Sequence, residues 1–235
     1  INYTYNIRGW LGSINDIDNR DNDLFAMTLN YNNSTNSPQF NGNIATIKWN
    51  SEVFYDIMQY DYTYDGANRL TTANYSGLSD YSSNYTYYKN GNIKWISRMG
   101  DIGRNMTGAI DALDFKYDGN QLKYVNDNIG LDYQENGFTD NGSFLTTNEY
   151  FYDQNGNLKK DLNKQINDIQ YNYLNLPCHI TFFNDENKYI DYIYDAQGIK
   201  LKKSVSNDRS VTSSLDYIGN FIFNGNKLDF IITPE

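Results

Sequence analysis

The chain has 235 residues, a net charge of −10 and a pI near 4.5. That balance works against nucleic-acid binding, which needs a basic surface for phosphate, and against a polybasic membrane patch. Mean hydropathy is −0.72, but 23 Tyr, 12 Phe and 3 Trp separate the chain from disordered sequences, which are poor in aromatics.

Taken from the start, Ile1-Asn2-Tyr3-Thr4-Tyr5 reads as a strand, with no signal peptide in view. Asp16, Asp18, Asp21 and Asp23 then form a dense acidic stretch. Calcium favours clustered carboxylates on a flexible loop, so these four are candidate ligands. The stretch lacks the glycine and terminal glutamate of an EF-hand, and a solvated loop is the competing reading. Residues 33–37 read as an exposed loop, and Asn41-Gly42 followed by Ile44 as a hairpin.

A repeat follows: aromatic-x-aromatic, then Asp or Asn, a Gly/Asn-rich turn, then Leu or Ile. Its first clear copy is Tyr62-Thr63-Tyr64-Asp65-Gly66-Ala67-Asn68-Arg69-Leu70. Asn90-Gly91 and Ile93 close a weaker copy begun at Tyr85. Residues 99–113, rich in Gly and Ala, interrupt the pattern and read as a loop insertion with room for a short helical turn at 109–113. The repeat resumes at Phe115-Lys116-Tyr117-Asp118-Gly119-Asn120-Gln121-Leu122. After an exposed loop at 140–142 it returns as Tyr150-Phe151-Tyr152-Asp153-Gln154-Asn155-Gly156-Asn157-Leu158. A further copy is Tyr192-Ile193-Tyr194-Asp195-Ala196-Gln197-Gly198-Ile199-Lys200-Leu201. Degenerate copies start at Tyr3, Tyr171 and Phe221, the last with the turn Asn224-Gly225.

Residues i and i+2 of a strand share a face, so Tyr62 with Tyr64, Tyr150 with Tyr152 and Tyr192 with Tyr194 form aromatic ladders. The Asn-Gly steps predict type I′ turns, with positive φ at both central residues. Each unit is then one hairpin, and a lone hairpin is marginal. The expectation is an all-β protein of antiparallel hairpin repeats joined edge to edge into a curled or spiralling sheet, because strands twist. Recurrence of Asp65, Asp118, Asp153 and Asp195 at one turn position points to backbone hydrogen bonding rather than catalysis.

Cys178 and His179 are the only Cys and His. Neighbours on a strand face opposite ways, so they do not read as a catalytic pair, and a zinc site needs more ligands. Trp10, Trp49 and Trp95 are candidate sugar-stacking residues, against a core role. No cofactor is expected, and no apolar run is long enough to span a bilayer. Both termini read as cuts in a longer chain, leaving open edges near residues 3–5 and 228–232 that could support self-association.

The unit Tyr152-Asp153-Gln154-Asn155-Gly156-Asn157-Leu158 resembles the Tyr-Asp-x-x-Gly-Asn-Leu signature of YD repeats, also called RHS repeats. The copy from Tyr194 is similar, with Ile199 and a longer turn. Tyr5-Asn6-Ile7-Arg8-Gly9-Trp10-Leu11, Asp23-Leu24-Phe25-Ala26-Met27 and Gln39-Phe40-Asn41-Gly42-Asn43-Ile44-Ala45 resemble RHS proteins of Bacteroidetes-type bacteria. The resemblance covers nearly the whole chain, read as a single block of repeats over 1–235. It implies the structural repeat residues Tyr64, Asp65, Leu70, Tyr117, Asp118, Leu122, Tyr152, Asp153, Gly156, Leu158, Tyr194, Asp195 and Gly198.

For function, the resemblance implies a secreted or cell-surface protein whose sheet spirals into a shell. In toxin members that shell encloses a C-terminal payload, so the implied partners are a downstream RHS core and payload in the parent chain. Elsewhere such repeats serve adhesion, to glycan or protein. The family's self-cleaving core carries an Asp-Pro motif, and this chain has no Asp-Pro pair. The expected role is therefore non-enzymatic, upstream of that core. An adhesion module is the first rival, and a glycoside hydrolase using paired acids the weaker one.

Overall fold

The computed structural model describes residues 1–19, 23–34, 37–53, 56–129, 136–140, 148–183, 185–208 and 210–233, with the backbone alone at 186. Among these residues every regular element is a strand, and there is no helix long and apolar enough to cross a membrane. Ten strands form the first sheet: β1 (Tyr3–Tyr5), β2 (Leu11–Ile14), β3 (Phe25–Asn30), β4 (Thr46–Ser51), β5 (Met58–Tyr64), β6 (Leu70–Ser76), β7 (Ser83–Tyr87), β8 (Ile93–Asp101), β9 (Thr107–Asp118) and β10 (Gln121–Asp127). Nine form the second: β11 (Tyr150–Tyr152), β12 (Leu158–Asp161), β13 (Ile166–Tyr171), β14 (Pro177–Phe182), β15 (Asp185–Tyr194), β16 (Lys200–Asn207), β17 (Ser210–Ile218), β18 (Phe221–Asn224) and β19 (Lys227–Ile231). Each strand neighbours its sequence neighbours, so both sheets are antiparallel meanders, as short turns require. The residues group into two compact units, one of Ile1–Phe115 with Asn126–Thr139, the other of Lys116–Val125 with Asp140–Glu235.

The expected loop insertion over 99–113 is not there. Met99, Gly100 and Asp101 complete β8, and Thr107 to Leu113 belong to β9, with Met99 opposite Ala109 and Gly100 opposite Gly108. Nor is there a helical turn at 109–113, because that backbone is paired with β8. The small residues serve close packing instead. A Cβ at Gly100 would stand 2.6 Å from the Ile110 side chain. Of the other expected loops, Asn33, Ser34, Ser37 and Asp140 lie outside strands, while residues 35, 36, 141 and 142 fall outside the described residues.

The buried apolar core is sparse and small-sided: Ala26, Ala45, Ala73, Ile110, Leu113 and Val125, then Ile169 and Ile222. Beside it, tyrosines form half-buried ladders. In the first unit Tyr60 and Tyr62 stack at 5.7 Å, and in the second Tyr192 and Tyr194 sit 6.3 Å apart while Ile193 between them is exposed. Tyr150 and Tyr152 are likewise half-buried on either side of exposed Phe151. The ladders thus follow the period-two expectation.

Candidate functional site

The recurring unit is the most organised feature of the chain, and it begins at the turn. In the Asp153 unit, the Gly156 N–H donates to the Asp153 carbonyl at 3.1 Å and the Asp153 N–H to the Asn157 carbonyl at 2.9 Å. The same two bonds close turns at Asn6, Asp65, Tyr88, Asn172 and Asp195. The fourth residue of each has positive φ: Gly9, Asn68, Gly91, Gly156, Asn175 and Gly198, with Gly156 at 85° and Gly198 at 86°. Strand register slips at the residue just before each of these turns, as at Tyr64, Tyr152 and Tyr194.

These are type I turns followed by a glycine-type bulge, not type I′ turns. Asn155 and Asn90 do not adopt positive φ; only the glycine after each does. In all but the Tyr88 turn an Asp or Asn opens the loop and supports this geometry. Asp153 Oδ1 accepts from the N–H groups of Asn155 and Asn157, at 2.9 and 2.8 Å. Asp65, Asp195, Asn172 and Asn6 repeat the pattern on the residues two and four positions ahead. One side-chain oxygen thereby fixes a five-residue loop. Asp65 is further clamped by Arg69, 2.6 Å away, whose hydrogen bonds hold the carboxyl below the usual range. Partial desolvation pushes Asp153 up, but hydrogen bonds from Asn157, Asn155 and Gly156 outweigh it and the net shift is downward.

The tyrosine before the turn has a second task. Tyr152 donates its hydroxyl to the carbonyl of Leu122, and Tyr171 donates to Leu158. Tyr87 donates to Leu70, Tyr64 to Ile44, Tyr194 to Pro177 and Tyr31 to Leu11. For Leu11, Leu70, Leu158 and Pro177 the acceptor is the first residue after the five-residue turn of the earlier unit, whereas Leu122 is the second residue after the shorter turn at Asp118. These six units are therefore fastened to earlier ones by a phenol on a main-chain oxygen, and the copy starting at Phe221, with Phe223 at that position, has no hydroxyl to give. Burial pushes these phenols above their ordinary value, so they remain protonated donors. On the same ladders, burial takes Tyr62 and Tyr150 to about 12.

No family model matches the chain, and no curated protein sequence matches it. Solved structures do. A chain in the crystal structure of TcdB2-TccC3-Cdc42 matches over 94% of this chain with a TM-score of 0.60 and 13% identity. A chain in the Photorhabdus luminescens Tc holotoxin pore, carrying a TccC3 variant, matches over 97% with a TM-score of 0.59 and 12% identity. This chain spans 12% of the length of each. It has the RHS/YD-repeat type of all-β fold.

Within that RHS-type frame the remaining residues of interest separate. Asp118 departs from the other turn aspartates. It closes a two-residue loop, Gly119-Asn120, with positive φ at Gly119, and its carboxylate reaches Lys123 at 3.2 Å. Tyr117 sits half-buried in the adjoining end of β9. The turn at 224–227 is of the same short kind, with Gly225 at its first central position.

Asp16 is a turn-former: its Oδ1 accepts from the N–H groups of Asp18 and Asn19, at 3.0 and 3.4 Å. Among the described residues no group of three or more Asp, Glu, His or Cys gathers to hold a metal, and Asp23 joins no such group; Asp21 lies outside them. His179 Nδ1 meets Asp191 Oδ1 at 2.6 Å, whereas the Cys178 thiol faces the Gln170 carbonyl at 3.4 Å. Strand neighbours thus find separate partners. Trp10 packs on Tyr31 with the Arg8 guanidinium 5.0 Å over its ring, and Trp95 lies within β8.

Sequence reasoning did not single out two buried acids. Glu149 is 1% exposed; its Oε2 accepts from the Val125 N–H at 3.0 Å and from Asn163 at 2.8 Å. Burial raises its carboxyl, against those bonds. Asp111 is fully buried, held by Arg98 and by the Phe138 N–H. An acid standing just before an aromatic-x-aromatic run, as Glu149 does before Tyr150, is the only trace of this in the sequence.

Proposed function

We propose that this chain is a non-enzymatic wall segment of a secreted RHS/YD-repeat protein, whose parent sheet forms a shell around a C-terminal, toxin-like payload. The tyrosine-to-carbonyl fastening between successive units carries the reading. A device that bonds each hairpin to its predecessor serves an extended sheet and presents no reacting group. The fold shared with the Tc toxin chains supports a structural role. The segments 5–11, 23–27 and 39–45 support a Bacteroidetes-type parent. In this reading the partners are the downstream RHS core and the payload of the same polypeptide.

The test uses the full parent protein. Limited proteolysis should leave any segment downstream of the repeats protected until the sheet is unfolded by denaturant. Digestion of that segment at the same rate in native and unfolded protein would count against enclosure. Selective binding of this chain on a glycan array would move the reading to an adhesion module.

A further inference from the structure

We propose that a cavity in the first unit, walled by Trp49, Tyr60, Tyr75 and Tyr81, binds a quaternary ammonium group, with Asp56 as its counter-charge. The cavity holds about 390 Å³ and is completed by Met58, Leu78 and Ser79. That volume is in the ordinary range for a small-ligand pocket.

Three adjacent strands bring the rings together. Trp49 lies on β4, Tyr60 on β5 and Tyr75 on β6, with Trp49 opposite Met58 and Tyr60 opposite Tyr75. Tyr81 joins from the following connection, where its carbonyl accepts the Tyr60 hydroxyl at 3.0 Å. The arrangement is therefore held by sheet pairing and a cross-bond before any ligand arrives. None of these four residues takes part in the tyrosine fastening between repeats.

The ring orientations choose between guests. Trp49 and Tyr60 lie 19° from coplanar, Trp49 and Tyr75 47°, Tyr60 and Tyr75 59°, and Tyr75 and Tyr81 84°. A pyranose stacks on one flat platform. Rings turned progressively to a right angle wall off a rounded guest on several sides instead. An aromatic face is the negative side of the ring quadrupole, so several rings around one site attract a cation whose charge is spread over methyl groups. Among the described residues the lining includes the exposed carboxylate of Asp56 and no lysine or arginine. The net charge of −10 adds a field of the same sign.

The test is calorimetric titration with choline and with tetramethylammonium, against the uncharged isostere of choline in which carbon replaces nitrogen. Choline should bind saturably and about tenfold more tightly than the isostere, the scale of a desolvated cation–ring contact. Asp56→Asn, a change at an exposed position, should weaken choline several-fold with an unchanged circular dichroism spectrum. Trp49→Phe should retain more binding than Trp49→Leu. Phosphatidylcholine vesicles, set against phosphatidylglycerol vesicles, distinguish a lipid headgroup from a free ligand, and either source supports the site. Equal affinity for the isostere, or no saturation by choline while the protein is folded, overturns it. Neither result bears on the shell reading, which rests on other residues.

Discussion

The Tyr171 hydroxyl donates a 2.7 Å hydrogen bond to the carbonyl of Leu158, the residue that opens the return strand of the preceding hairpin. This pair explains two letters of the repeat signature at once. Tyr is required for its hydroxyl as well as its ring. The Leu position is defined by where its main-chain oxygen falls. Tyr171→Phe keeps the ring and leaves that carbonyl without its phenol, so it should cost about 1 kcal/mol in urea unfolding. Tyr173→Phe, at a site that is 81% exposed, should leave the urea midpoint in place. Equal effects at both positions would mean that the phenol contributes nothing at Leu158.

The turn makes a separable prediction. Asp153→Asn keeps an acceptor at Oδ1, as Asn172 and Asn6 do naturally, and should change the urea midpoint little. Asp153→Ala removes the acceptor for the Asn155 and Asn157 N–H groups and should lower the midpoint clearly. Gly156→Ala forces a Cβ into the left-handed region and should cost about 1 kcal/mol through the backbone, since its nearest neighbour, Gln121, is 3.8 Å off.

Glu149 gives a pH dependence of known sign. Burial raises its folded carboxyl above the ordinary value of 4.5, so the fold prefers the protonated acid. That preference contributes stability below 4.5 and is lost as pH rises through the raised folded value. Glu149→Gln supplies an uncharged acceptor for the Val125 N–H and the Asn163 amide. It should raise the urea midpoint at neutral pH, and the gain should shrink as pH falls towards 4.5. A gain that is constant with pH would assign the effect to packing.

The last strand of the second sheet predicts association. Among the described residues β19 pairs only with β18, and Leu228, Phe230 and Ile231 along it are exposed. An apolar edge invites a further strand. Light scattering at neutral pH should show concentration-dependent association, and Ile231→Lys should reduce it. A strictly monomeric chain at all concentrations would instead favour a closed, independent module.

Much of the array is legible in the residues because its causes are local. Period-two aromatics set the ladders, as Tyr150, Phe151 and Tyr152 show, and an Asx residue followed by a Gly or Asn marks each turn. The turn type is not legible, because an Asn-Gly pair is ambiguous by itself. It forms a type I′ turn when it stands at the centre, and a type I turn with a bulge when its Asn is the third residue and its Gly the fourth; Asp153 supports that second placement, and Asn90-Gly91 adopts it behind Tyr88. Asp118 departs from the pattern because only Gly119 and Asn120 separate it from β10, although Asp65 too is followed by a glycine. Residues 99–113 look like an insertion in the sequence because Gly and Ala carry no strand signal, yet a glycine is needed where Gly100 meets Ile110.

What the sequence by itself determined is the unit: where each hairpin lies, which face the tyrosines take, and which side chain closes the turn. All of these act within about ten residues, over which strand and turn geometry are nearly independent of the rest of the chain. Only the tertiary structure decided what the units do to one another. The acceptor of each tyrosine hydroxyl lies in another hairpin, up to 30 residues away for Tyr152 and Leu122. Trp49, Tyr60, Tyr75 and Tyr81 become one cavity only when three strands lie side by side in register. Glu149 is buried only because Val125 and Asn163 close over it. Such contacts depend on register summed over several strands, and no local pattern of residue types records that sum.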